Sequence, residues 1–232
     1  MVYEPLMRYY PLFINLERMH CLVVGGGGVG CRKARSLAEA GACSVLVVDT
    51  AEASEDMETV CTSCGNVCFA RREFVVEDLD GINLAFACTS DSVVNGKIAQ
   101  QCERRGILCN IADQPDRGHF IVPGSVRRGD LCIAVSTAGK SPAMARRVRV
   151  EIDGLIGDEY GLVLALMGRL RPRMLDLGLE TRQNTDVFRS LVFSELADAL
   201  KVRDKTAARG ILMDILPDTL HNNIPELLDG LV

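Results

Sequence analysis

Three glycines stand at the spacing Gly25-x-Gly27-x-x-Gly30, between the apolar run HCLVV and the stretch CRKARSLAEAGA, which has helical composition. A strand entering a tight turn and leaving at once as a helix would aim backbone N–H groups and the positive helix end at a pyrophosphate. The predicted cradle comprises Gly25, Gly26, Gly27, Gly28, Val29 and Gly30. A turn that merely packs a helix is the plainer alternative, but four consecutive glycines are an entropically costly way to make one. Asp49 closes the next apolar run, SVLVVD, nineteen residues beyond Gly30, where its carboxylate would bind ribose hydroxyls. That charge repels a 2′-phosphate, so NAD is expected rather than NADP, with Arg71 and Arg72 unplaced. Cys31 stands where a nucleotide-hydrolysing phosphate loop requires lysine, and NTP hydrolysis is not expected.

A second carboxylate, Asp113, follows the run ILCNIA. At the C-terminal edge of a parallel sheet it would be placed for general-base chemistry; an Asp just before a Pro-containing loop serves equally well as a turn cap. Farther on, Ser136-Thr137-Ala-Gly139-Lys140-Ser141-Pro142 ends a predicted strand and opens a helix. It offers hydroxyls and free N–H groups to an anion, with Lys140, Arg146, Arg149, Arg127 and Arg128 as neighbouring charge; an ordinary solvated basic face is the other possibility. His119, at the start of an apolar run, is expected to be structural more than catalytic. Of the ten cysteines, Cys61-x-x-Cys64-x-x-x-Cys68 is the one group with metal or redox spacing. No second pair or nearby His completes four ligands, so no metal is expected.

The elements that must position these groups alternate. Strands are predicted at the run before Gly25, at Ser44 to Asp49, Asn66 to Phe74, Asn83 to Thr89 and the run before Asp113, with helices after Gly30 and around Val93, Val94, Ile98 and Cys102, ending at Gly106. Buried strands alternating with helices define an α/β, Rossmann-like doubly wound parallel sheet. HFIVPGSVRRGDLCIAVST then reads as two strands joined across a basic connection, and the chain from Ser141 onward is mostly helical, with Gly154, Gly168, Gly178 and Pro217 as candidate breaks. Three regions are expected: 1–113 for nucleotide binding, 114–150 for dimerisation and substrate binding, and a helical region at 151–232.

The chain has 232 residues, 48% hydrophobic and 25% charged, with a net charge of -5. This composition excludes disorder and gives no general attraction to nucleic acid or anionic lipid. The longest aliphatic run, Leu162 to Met167, is far short of the roughly 20 residues that span a bilayer, and no cleavable leader pattern is evident. A cytoplasmic protein is expected.

Four ordered stretches resemble the precorrin-2 dehydrogenases, which occur alone or as the N-terminal part of siroheme synthases. They are YYPLFINLERMHCLVVGGGGVGCRKARSLAEAGA, ACTSDSVVN, CNIADQPDRGHFIVPGSV and AVSTAGKSPAMARRVR, together covering most of residues 8–150. Gly30 replaces the family's usual alanine, and Gly124 stands where many members carry Ser. The resemblance implies NAD-dependent oxidation of precorrin-2 to sirohydrochlorin, with Fe(II) insertion in some members, and a homodimer whose interface uses the region after the nucleotide domain. It also favours Asp113 as the general base, Thr89 as a cofactor contact, and Ser136, Thr137, Lys140, Ser141 and Arg146 as contacts for the substrate's carboxylates. A non-catalytic NAD-binding sensor that uses Cys61, Cys64 and Cys68 is the alternative from another class.

Overall fold

In the computed structural model, which describes residues 9–232, five short apolar runs form one parallel sheet. They are β1 (His20–Val24), β2 (Ser44–Asp49), β3 (Val67–Arg71), β4 (Leu84–Ala87) and β5 (Leu108–Ile111), in the spatial order β3-β2-β1-β4-β5. Leu22 of β1 registers with Leu46 on one side and Ala85 on the other. Continuous burial of Cys21–Val24 and of all four residues of β4 is what a sheet covered on both faces requires.

One face carries α1 (Gly28–Glu39), which buries Gly30, Cys31, Ala34 and Leu37 at helical spacing. Beside it lies α2 (Glu55–Ser63), a helix the sequence reading did not anticipate. Its start signals were present all the same: Ser54 accepts from Met57 N–H at 3.3 Å, and Glu55, Asp56 and Glu58 fill the first turn. The other face carries α3 (Ser92–Arg105), capped by Asp91 and terminated by Gly106 at φ +69°.

The chain divides into two compact units, the first ending at Val122 and the second covering Pro123–Val232. Residues 114–122 therefore pack with the nucleotide-binding sheet, because Phe120 meets Phe86 edge-on at 5.5 Å and the His119 backbone N–H donates to Cys109 O at 2.8 Å. The strand expected from His119 onward begins only at Gly124.

The second unit opens with a hairpin of β6 (Gly124–Arg128) and β7 (Leu131–Val135), then α4 (Pro142–Leu155). There follow α5 (Glu159–Asp176), α6 (Thr181–Val192), α7 (Leu196–Lys201), α8 (Lys205–Ile215) and α9 (Ile224–Leu227). Their core includes Leu166, Leu170, Met174, Leu191, Leu200 and Leu212. Gly168 does not break the chain as expected but lies inside α5, because burial of Leu166, Leu170 and Met174 outweighs a glycine penalty of about 1 kcal/mol. Gly154 stands one residue from the end of α4, Gly178 follows α5 at φ +63°, and Pro217 follows α8. No helix among the described residues is long and apolar enough to cross a membrane.

Candidate nucleotide site and catalytic carboxylate

The turn after β1 is shaped by the side chains it excludes. Gly25 lies at φ +101°, and a Cβ there would fall 2.6 Å from the Cys88 carbonyl and 2.7 Å from Thr89 N. A Cβ on Gly30 would collide with Gly25 O, so α1 rests directly on the strand exit, and this chain lacks room for the alanine methyl its resembling family carries. At Gly26 a Cβ would lie 2.8 Å from the Phe69 ring. Gly27 has nothing within 4 Å and Gly28 only the Arg32 guanidinium, at 3.6 Å. These two leave the open floor at a helix start that a pyrophosphate needs, with exposed Val29 beside it.

Asp49 stands at the rim. Its Oδ2 accepts from Gly26 N–H at 2.5 Å and its Oδ1 from Ala51 N–H at 2.8 Å, leaving a lone pair on each oxygen for a ribose hydroxyl. Arg71 pairs with Glu52 at 2.6 Å, and Arg72 grips both oxygens of Asp78 at 2.6 and 2.8 Å. The Arg72 fork holds the Asp78 carboxyl below the usual carboxylate range. Both guanidiniums are thus engaged by acids, and a 2′-phosphate would have to compete for them. Asp49→Asn is expected to raise KM for NAD about tenfold and to narrow the preference over NADP, since a charged hydrogen bond is worth about 1.5–3 kcal/mol. Initial rates with both nucleotides test this; an unchanged preference would remove Asp49 from the choice.

Asp113 is exposed just beyond β5, and its Oδ1 accepts from Asn95 Nδ2 at 2.9 Å. Asn95 is 1% exposed. Its Oδ1 accepts from Thr89 N–H at 3.2 Å and Thr89 Oγ1 at 2.7 Å, and its Nδ2 also donates to Thr89 O at 3.0 Å. One buried amide therefore ties the loop after β4 to the carboxylate after β5, with every polar atom satisfied. No role was expected of Asn95; the available signal was a lone amide on a helical face shared with Ile98 and Cys102. The Thr89 hydroxyl shapes its own loop, while its backbone flanks Gly25.

Cys88 lies in the same neighbourhood. Burial pushes its thiol up to about 11, the Lys33 cation opposing and the Asp113 carboxylate adding to the shift. A protonated thiol is no nucleophile at neutral pH. Lys33, its own pKa lowered by burial, rests 6.0 Å from the Phe86 ring centroid. His119 Nδ1 accepts from Cys109 N–H at 3.1 Å, which ties the segment after β5 back to the sheet. Cys61 falls in α2, Cys64 just past it and Cys68 in β3; among the described residues no three His, Cys, Asp or Glu are grouped to hold a metal ion.

The remaining expected residues belong to the second unit. Thr137 Oγ1 donates to Ser141 O at 3.1 Å and accepts from Ser141 N–H at 3.3 Å, and Ser136 Oγ accepts from Ala138 N–H at 3.1 Å. Ser141 Oγ caps α4 by accepting from Met144 N–H at 3.2 Å, leaving its own proton to donate. Lys140 and Arg146 are exposed. Arg128 is not available as a substrate cation: it is spent on Asp153 at 2.9 Å and Asp158 at 3.2 Å.

Sheet order, glycine turn and acidic rim define a dinucleotide-binding protein of the doubly wound class. Residues 12–124 match the family model described as "Putative NAD(P)-binding", and residues 128–155 match "Sirohaem biosynthesis protein central". The siroheme synthase of Citrobacter koseri is 33% identical over 225 residues, 97% of this chain and 49% of that one. That of Pseudomonas fluorescens is 34% identical over 192 residues, 83% of this chain and 41% of that one. A solved structure of SirC, precorrin-2 dehydrogenase, shares the fold at a TM-score of 0.72 and 22% identity, covering 89% of this chain and 98% of that one. The chain is thus similar to siroheme synthases over nearly its whole length, and it spans about half the length of the curated relatives it matches.

Proposed function

We propose that the protein dehydrogenates precorrin-2 to sirohydrochlorin with NAD. The observation that carries this reading is the pairing of an open glycine floor with Asp113, a carboxylate fastened at the same sheet edge by Asn95. Gly25 to Gly30 and Asp49 would hold the nucleotide, which when bound supplies the hydride acceptor. The substrate loses one hydride and one proton, and Asp113 takes the proton. Asn95 donates to Asp113 Oδ1 and leaves the second oxygen free for that transfer. Ser136, Thr137, Lys140, Ser141 and Arg146 form the contact surface for carboxylates of the macrocycle, Arg146 by a fork and the Ser136 and Ser141 hydroxyls by donation, while the Thr137 hydroxyl holds the loop in shape. The divisions at 113 and 150 are functional ones: the first falls inside the first compact unit and the second within α4.

The experiment is an anaerobic spectrophotometric assay with precorrin-2 and NAD. Growth of the NADH and sirohydrochlorin spectra supports the activity, and a silent assay with folded protein removes it. Fe(II) insertion is a secondary activity in this proposal, removed if iron enters sirohydrochlorin no faster than without protein.

The working form is a homodimer joined through the hairpin and α4. This 14-residue helix buries none of its residues within the chain and leaves Met144, Val150 and Leu155 at 51%, 54% and 76% exposure. No residue of β7 is fully buried either. Sedimentation equilibrium should give about twice the 25.3 kDa chain mass; a single-chain mass at micromolar concentration would oppose the dimer. Ten cysteines without a disulfide and the absence of a basic excess suit a cytoplasmic enzyme acting on neither nucleic acid nor membrane. Cell fractionation is the check.

A further inference from the structure

Two adjoining hollows of about 380 and 460 Å³ run along α3 beneath the turn at 114–119. They share Gly96, Gln100 and Arg117. Ser92, Lys97 and Gln114 complete the polar lining of the first. Gly96 sits inside a helix, where glycine costs about 1 kcal/mol, and the side chain it lacks would point at the Arg117 guanidinium, 3.8 Å from its Cβ position. The glycine thereby keeps the floor beside Arg117 clear.

Neither Lys97 nor Arg117 forms an ion pair among the described residues. Arg117 Nη1 donates to Gln114 Oε1 at 3.0 Å, which steadies the guanidinium while leaving its remaining N–H groups unspent. The nearest acid on the lining, Glu103, belongs to the second hollow, about two turns farther along α3. Two cations, a hydroxyl and two amide side chains are the chemistry of carboxylate recognition.

Its place in the fold decides which carboxylate. The glycine turn follows β1 and Asp49 ends β2, whereas the hollow borders β5, the opposite edge strand, with β4 between. The glycine floor and the Asp49 rim therefore stand two and three strands away from it. The hollow adjoins the base on both of its supports: Gln114 follows Asp113, and Gly96 follows Asn95, which holds Asp113. We propose that this recess binds an acetate or propionate side chain of the tetrapyrrole through Lys97 and Arg117, turning the ring so that the carbon to be deprotonated meets Asp113. The assignment rests on the dehydrogenase activity proposed above.

The test is steady-state kinetics of the full chain carrying Lys97→Gln and Arg117→Gln, paired with absorbance titration of sirohydrochlorin without nucleotide. KM for precorrin-2 and the sirohydrochlorin Kd are each expected to rise tenfold or more. KM for NAD should stay within twofold, and Arg117→Lys should retain most of the affinity. An active wild type whose double variant keeps both constants overturns the recess assignment alone. A folded wild type with no dehydrogenase activity overturns the activity and, with it, the assignment. The titration registers binding independently of turnover, so the two failures are distinguishable.

Discussion

Replacement of Asp113 by asparagine is expected to lower kcat by about 10²–10⁴-fold, the usual contribution of a positioned general base. The change is nearly isosteric. The amide oxygen can still accept from Asn95 Nδ2, so the hydrogen bond that fastens this residue has no reason to break. The lost property is the ability to take up a proton. KM for NAD should hardly move, because the glycine floor and Asp49 lie over β1 and β2 while Asp113 follows β5. Single-turnover absorbance under anaerobic conditions is the appropriate measurement, since it separates proton removal from product release. If the asparagine variant turned over at the wild-type rate, Asp113 would be a turn residue and the base would have to be sought elsewhere.

The second large effect is expected from Gly25→Ala. The residue sits at φ +101°, which L side chains rarely adopt, and its new methyl would be driven against Cys88 and Thr89 backbone at 2.6–2.7 Å. Neither neighbour can swing aside, because Cys88 N–H donates to Val24 O at 2.7 Å and the Asn95 amide holds Thr89 by three hydrogen bonds. Backbone strain and overpacking each cost about 1–3 kcal/mol, so a loss of about 3 kcal/mol is expected in urea unfolding. NAD binding should fall below detection by calorimetry, since relief of the clash must open the turn. Gly27→Ala is the contrasting case: with nothing within 4 Å of its Cβ, stability should be almost untouched while nucleotide affinity drops. Equal destabilisation by both substitutions would mean that Gly25 holds no special place.

The two substitutions also mark what residue types and spacing disclose. Gly25, Gly27, Gly30 and Asp49 were legible because a nucleotide turn demands residue types that few other structures tolerate, at a spacing dictated by one strand and one helix. The strands were legible as apolar runs, since parallel strands bury both faces. The cysteine group is a different case: three thiols at suggestive spacing fall in a helix, just past its end and in a strand, a placement their spacing does not reveal. Helix α2 was overlooked because its buried face amounts to Met57 and Val60, too few for a periodic signal.

Local chemistry by itself determined the α/β class, the glycine floor with its acidic rim, the carboxylate after β5 and the capped start of α4. Each depends on neighbours a few residues away or on a single strand-turn-helix unit, so types and spacing suffice. Folding alone decided that Asn95 fastens Asp113, that Arg71, Arg72 and Arg128 are consumed by acids, and that residues 114–122 pack on the first sheet through His119 and Phe120. Those outcomes depend on which side chains meet across elements distant along the chain. Hydrogen bonds and ion pairs of that kind act over a few ångströms in space, and sequence separation carries no record of them.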